Sequence, residues 1–344
     1  MAGREHNPNA PPTGHGFRPL LLILSTLVLC LSAKAQTCQT SSDLEDAAKS
    51  ALTTAGRRFF DFAAKGDVAS LRQNAAPALA SDFSAIETLV KDHQLELAAA
   101  QVTPKSVFLL EAEGGSPLQH AEFYCGVFGK NGQTSGSAVF SLDNLAPGKY
   151  AVVILEAVAP QSRGNFSEVL QQIGTDWKLA GLQLKAAQAA GHDSDWFAAR
   201  AREYKAKGQQ HNAWFFYVQA RSLVSPVSFM STLATDKLYD ESQSLQPADV
   251  PTEGKPIDLI AGNTTYKLTA LFPSAVGNDL DLVVRYQAPD VSNTTQANQN
   301  NLAVIKALVT KYPEFKSAFA GVVARAVDPS GHDFGTLLDM KEIK

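Results

Sequence analysis

Tyr150-Ala151-Val152-Val153-Ile154-Leu155 is apolar in both phases of a strand. Successive side chains of a strand point to opposite faces, so such a run belongs to a strand covered on both sides. It predicts a central strand with one layer above it and another below. Working outward, this strand spans 149–158, and a period of two marks others at 106–113, 121–128, 137–142 and 177–184. Gly114-Gly115-Ser116-Pro117, Lys130-Asn131-Gly132, Ala146-Pro147-Gly148 and Ile173-Gly174-Thr175-Asp176 supply the turns between them.

Over 43–99 the period is that of helices. Leu44, Ala48, Ala51, Leu52 and Ala55 form an apolar stripe that Phe59, Phe60, Phe62 and Ala63 extend. Lys65-Gly66-Asp67 interrupts it, with Gly66 suited to the position just past a helix end. A second helix runs from about Asp67 through Leu71, and Phe83, Ile86, Leu89 and Val90 line one face of another. Helices followed by a meander of antiparallel strands indicate an α+β domain.

Phe59-Phe60-Asp61-Phe62-Ala63-Ala64-Lys65-Gly66-Asp67-Val68-Ala69-Ser70-Leu71 resembles the opening helix of nuclear-transport-factor-2-like domains. Asp176-Trp177-Lys178-Leu179-Ala180-Gly181-Leu182 is similar to their closing strand. The resemblance covers roughly 43–186. It implies a curved sheet folded around a helix, often enclosing a conical pocket, in a group that includes isomerases, dehydratases and proteins with no activity. Residues 142–150 also resemble the turn of transthyretin-like modules, although the helices before them count against that.

Residues 20–31, LLLILSTLVLCL, follow Arg18 and precede Ser32-Ala33-Lys34-Ala35. A basic lead, an apolar centre and small residues at the A-x-A positions are the pattern of a secretory signal peptide, with cleavage between Ala35 and Gln36. The run falls short of the ~20 residues needed to span a ~30 Å hydrocarbon core, so no permanent membrane anchor is expected. Removing Arg4, Arg18, Lys34 and Glu5 makes the formal net charge of −4 more negative by two. A mildly acidic chain without a basic run has no electrostatic footprint for nucleic acid. Cys30 leaves with the leader. Cys38 and Cys125 remain, as a disulfide suited to an oxidising compartment or as two free thiols.

Three parts are expected after the leader at 1–35: an α+β domain over 36–190, a helical hairpin plus third helix over 191–245, and an α+β unit over 246–344. In the middle part Phe197, Ala201, Tyr204, Ala213, Tyr217 and Ala220 match the spacing of a tetratricopeptide repeat, with Gly208 in the turn and Pro226 past the end. Arg200 departs from that resemblance, standing where the family prefers Leu. One repeat cannot stand alone where at least ~3 are needed, so the hairpin should pack on its neighbours. A third helix is expected from near Ser225-Pro226 toward Tyr239. In the last part, strands at 264–272, 280–286, 321–327 and 336–343 flank a helix at 300–312, an order of β-β-α-β-β. The whole reads as α+β: N-terminal helices with a curved antiparallel sheet, a central helical hairpin and a small C-terminal α+β unit.

No catalytic signature stands out: there is no G-x-S-x-G elbow, H-E-x-x-H helix, P-loop or C-x-x-C pair. Asn165, Asn263 and Asn293 head glycosylation sequons, informative only in a host that uses them. His192-Asp193-Ser194-Asp195 has metal or acid–base side chains, but Asp193 or Ser194 as a helix cap explains the same residues. His332-Asp333 sits in a turn-like loop. His211, Trp214 and Phe215 belong to an aromatic run too wide for one helix face, which must meet another domain or a ligand. Within the first domain, Glu111, Glu122, Tyr124 and His93 are the groups that an isomerase-like pocket would need as carboxylate base and hydrogen-bond donor. No metal or cofactor is expected. The function expected is exported binding or scaffolding in the cell envelope, toward an unknown protein or a small apolar ligand. The alternative is a small-molecule isomerase, dehydratase or hydrolase working in a first-domain pocket.

Overall fold

The computed structural model describes residues 36–252 and 254–343; the expected signal peptide at 1–35 lies outside them. Strand β1 (Thr37–Gln39) leads into helices α1 (Asp46–Ala64), α2 (Val68–Gln73), α3 (Pro77–Ser81), α4 (Ser84–Asp92) and α5 (Gln94–Ala99). Strands β2 (Gln101–Ala112), β3 (Leu118–Cys125), β4 (Ala138–Leu145), β5 (Gly148–Ala159), β6 (Ser162–Ile173) and β7 (Asp176–Ala186) follow. Gly66 adopts φ +67°, which ends α1, and Asp67 Oδ1 accepts from the Ser70 amide at 2.9 Å to start α2. Leu52, Gly56, Phe59, Phe60 and Ala63 form the buried face of α1, at the i, i+4, i+7, i+8, i+11 spacing of one helical stripe.

The main sheet has the order β1-β2-β5-β6-β7 and is antiparallel throughout. Every residue from 150 to 155 is at most 4% exposed, as the two-phase apolar pattern requires. Ala151, Val153 and Leu155 pack with Phe59, Phe60 and Val90 of the helices. Tyr150, Val152 and Ile154 face Phe123 and Phe140 on the other side. The expected meander is corrected in two respects. Strands β3 and β4 leave the main sheet and fold back across it as a separate layer, and β6, absent from the expected set, stands between β5 and β7. Cys38 of β1 is disulfide-bonded to Cys125 of β3, with Cα atoms 4.9 Å apart, tying the two sheets together.

Two-residue strands β8 (Gln188–Ala189) and β9 (His192–Asp193) pair around Ala190-Gly191 and deliver the chain into helices α6 (Ser194–Ala206) and α7 (Gln210–Val224). Asp193 Oδ1 caps α6 by accepting from the Trp196 amide at 3.0 Å. Phe197, Ala201, Tyr204, Ala213, Tyr217 and Ala220, the residues at repeat spacing, are each at most 3% exposed. No helix starts at Ser225-Pro226. The residue before proline is pushed out of the helical region, and Ser225 is extended at φ −93°, ψ 122°. The chain instead forms β10 (Met230–Thr232), which pairs with β4 and makes the second sheet β10-β4-β3. Helix α8 (Leu233–Ser242) begins after it, behind a Thr232/Thr235 capping box.

The last part holds β11 (Ile257–Ala261), β12 (Thr264–Val276), β13 (Asp279–Gln287), α9 (Thr294–Lys311), β14 (Gly321–Val327) and β15 (Asp333–Asp339). Their sheet runs β11-β12-β13-β14-β15, with α9 as the crossover between the parallel pair β13 and β14. The sequence pattern does not mark strand β11. It makes the order β-β-β-α-β-β. The hairpin shares a continuous apolar core with this sheet: Phe215 of α7 packs edge-on against Phe315 at 5.9 Å and Phe319 at 6.3 Å. Among the described residues no helix is long and apolar enough to cross a membrane.

Candidate functional site

The four groups considered for a first-domain pocket do not converge. His93 lies at the α4–α5 junction, its Nδ1 3.1 Å from Glu96 Oε2. Glu111, near the end of β2, lies 3.7 Å from Lys149 Nζ. Glu122 and Tyr124 are brought together, the Tyr124 hydroxyl donating to Glu122 Oε2 at 2.7 Å, but on the outer face of β3. That bond pushes the exposed phenol up, since it favours neutral tyrosine beside a carboxylate. Alternation explains the placement: Phe123 and Cys125 point into the layer between the sheets, so 122 and 124 point out.

Between helices and sheet, where an enclosed pocket was expected, Phe59, Phe60 and Phe166 fill the layer. In it sits Glu168 of β6, fully buried, with no hydrogen-bond partner for either carboxyl oxygen among the described residues. Burial pushes this carboxyl well above its usual range. Asn165, on the same strand, is 1% exposed and accepts from Lys105 Nζ at 3.0 Å, so this sequon is closed in the folded chain. Asn263 stands exposed in the β11–β12 turn.

The hairpin residues have structural partners. His211 lies between Glu314, 2.9 Å from Nδ1, and Asp249, 2.8 Å from Nε2. Phe215 is buried and Trp214 half-buried, both against the core shared with the C-terminal sheet. His192 stacks on the ring of Trp196 at 3.7 Å, while Asp193 is spent on the helix cap. Among the described residues no three His, Cys, Asp or Glu side chains gather as a metal site would need.

A different site emerges where β7, α7 and the β10–α8 connection meet. They enclose an open cleft of about 540 Å³ whose walls carry Lys185, Arg221, Ser228, Ser231, Asp236 and Tyr239. The Arg221 guanidinium lies 4.9 Å over the Tyr239 ring, which holds it against the wall. Half-burial pushes the Lys185 ammonium down. Arg163 and Arg202 are bonded to Glu156 and Glu241, whereas neither Lys185 nor Arg221 has such an ion pair among the described residues. Two side-chain amides fix the hydroxyls. Gln183 accepts from the Ser228 amide at 3.0 Å and donates to its Oγ at 2.9 Å. Gln133 Nε2 donates to Ser231 Oγ at 2.9 Å and to Asp236 Oδ2 at 2.7 Å.

Sequence reasoning missed this cleft because Lys185, Arg221 and Tyr239 are distant in the chain and carry no motif. Glu168 did leave a signal, a lone acid inside an otherwise strand-like stretch. No family model matches the chain, and neither a curated protein nor a solved structure matches it.

Proposed function

We propose that this chain is an exported binding protein and that the cleft between β7, α7 and α8 is its recognition site, taking a small hydroxylated anion. One observation carries the reading: Lys185 and Arg221 face the same cleft without an ion pair among the described residues, while the Asp236 carboxylate in its wall accepts from Gln133. A half-buried ammonium has lost water without gaining a counter-charge, and an entering anion would restore it through charge-assisted hydrogen bonds about twice as strong as neutral ones. The pinned hydroxyls of Ser228 and Ser231 suit a ligand that also carries hydroxyls, and Tyr239 offers an apolar wall. The sequence alone points to an unknown protein or a small apolar ligand; the charge in this cleft favours the anion. Export is supported by the leader pattern at 1–35 and by the Cys38–Cys125 bond, which persists in oxidising compartments.

The sheet packed against α1 supports a nuclear-transport-factor-2-like reading of the first part, and the seam of α6 and α7 supports a tetratricopeptide-like reading of the hairpin. An enzyme of the isomerase or dehydratase kind would draw its acid from Glu168, but α1 seals that carboxyl from any substrate.

Calorimetric titration with glucuronate, glucose 6-phosphate and glucose tests the binding reading. The two anions should bind and glucose should not, and Lys185→Met or Arg221→Met should each weaken the anions by about tenfold or more. Equal affinity for glucose, or no effect of either substitution, would remove the cleft from consideration.

A further inference from the structure

Among the described residues, the C-terminal sheet ends at β11 in an edge that pairs with no further strand, beside a helix. The hairpin turn Gly262-Asn263 joins β11 to β12, so the closing pair Ala261 and Thr264 exchanges hydrogen bonds, and so do Leu259 with Tyr266 and Ile257 with Leu268. Asp258 and Ile260 consequently turn their N–H and C=O groups away from the sheet. Among the described residues neither makes a backbone bond to any turn or loop. The outer edge of β7 differs, because Leu179 there exchanges backbone bonds with Asn74 and Ala76. An edge with outward-facing backbone groups is a template for another strand.

Alongside β11 runs one face of α9, formed by Ala303, Lys306, Ala307, Thr310 and Lys311, and strand and helix together border a groove of about 720 Å³. The two alanines keep the floor low enough for a backbone to lie there. Lys306 and Lys311 are exposed on its rim without an ion pair among the described residues, and Lys267 stands opposite Asp258 in the sheet register and offsets its charge. Ile260, on the far face of the strand, is 72% exposed.

We propose that the groove between β11 and α9 binds an extended acidic peptide, which adds to the C-terminal sheet as a sixth strand. Main-chain bonds to Asp258 and Ile260 would supply affinity, and alternate side chains would supply selection. Residues facing α9 lie over Ala303 and Ala307 between the two lysines, which selects Asp or Glu. Residues sharing the face of Ile260 meet that side chain and Asp258, whose carboxylate disfavours a further acid on this face, which selects Val or Ile. The recognised pattern is therefore an alternation of acidic and β-branched residues over about five positions, the length of β11. This site is separate from the anion cleft and does not depend on it.

Fluorescence anisotropy with three labelled peptides decides the matter: Val-Asp-Val-Asp-Val, the same peptide with Lys for Asp, and the acidic peptide N-methylated at alternate residues. The acidic peptide should bind, more weakly as salt rises, and the other two about tenfold more weakly or worse. Ile260→Pro removes one outward N–H while leaving the bonds to β12, and should also cost about tenfold. The pair Lys306→Glu and Lys311→Glu should do the same with unchanged circular dichroism, which separates recognition from folding. Acidic and basic peptides binding alike, or binding untouched by Ile260→Pro, would overturn the proposal. So would a concentration-dependent dimer abolished by Ile260→Pro, since the occupant would then be a second copy of this chain.

Discussion

Gly56 and Glu168 meet across the interface between α1 and the main sheet. A Cβ at position 56 would lie 2.9 Å from Glu168 Oε2 and 2.7 Å from Val153 Cγ1. The helix comes this close because residue 56 has no side chain, and its approach is what closes the carboxyl off from water. Alanine should gain about 1 kcal/mol over glycine in helix propensity. Overpacking against Val153 and Glu168 should cost about 1–3 kcal/mol, so Gly56→Ala is expected to destabilise on balance. Urea unfolding checks this, and a more stable variant would mean that the layer is looser than its distances indicate.

Glu168 itself should make stability fall as pH rises. Burial raises the carboxyl's folded-state pKa, so over the window between its unfolded and folded values the native state holds the proton that the unfolded chain has released. Its contribution is complete below the ordinary carboxylate range and is lost progressively above it, until the folded pKa is passed. Glu168→Leu keeps an apolar side chain in the layer and removes two buried oxygens without partners. It should stabilise the protein at pH 7 by about 1–3 kcal/mol and flatten its pH dependence between the acid range and neutrality. Chemical denaturation of both proteins across that range gives the comparison; parallel curves would mean that the carboxyl has an unseen partner.

The same strand marks the limit of what the residues alone reveal. The run from 150 to 155 is legible because both faces of β5 are covered by apolar layers, and the sequence repeats that fact in two phases. Strand β6 is hidden because Asn165, Ser167 and Glu168 are buried polar residues, which a reading based on apolar alternation assigns to a surface. The departure of β3 and β4 into their own layer is set by which strands pair, and period-two alternation does not encode pairing. Strand β11 is short, and only its bonds to β12 distinguish it from the polar connection before it. The hairpin seam was legible since small and aromatic residues recur at helical spacing. The anion cleft was not, because its cations come from separate elements.

Removing the disulfide should loosen the junction of the two sheets. It closes a loop with a sequence separation of 87, for which the chain-entropy model gives roughly 4–5 kcal/mol. Cys38→Ala with Cys125→Ala should lower the denaturation midpoint accordingly, and reductant should destabilise the parent but not the variant. Thiol titration of the unreduced, denatured chain from Gln36 onward should find no free thiol. Two reactive thiols would contradict the bond.

The aromatic run on α7 should divide by burial rather than by residue size. Phe215 is 1% exposed and lies against Phe315 and Phe319, whereas the larger Trp214 is half-buried at the margin of the same core. Phe215→Ala should therefore cost about 3–5 kcal/mol, and Trp214→Ala distinctly less, although it deletes more atoms. Ala213 faces α6 at 0% exposure, so Ala213→Leu should overpack the seam and cost about 1–3 kcal/mol. Ala213 and Phe215 act on opposite sides of α7, one toward its hairpin partner and the other toward the C-terminal unit. If hairpin and sheet unfold together, as their continuous core implies, all three variants should show one cooperative transition with the m-value of the parent. A second transition in Phe215→Ala would separate the hairpin from the C-terminal sheet as independent folding units. A neutral Ala213→Leu would place the seam elsewhere.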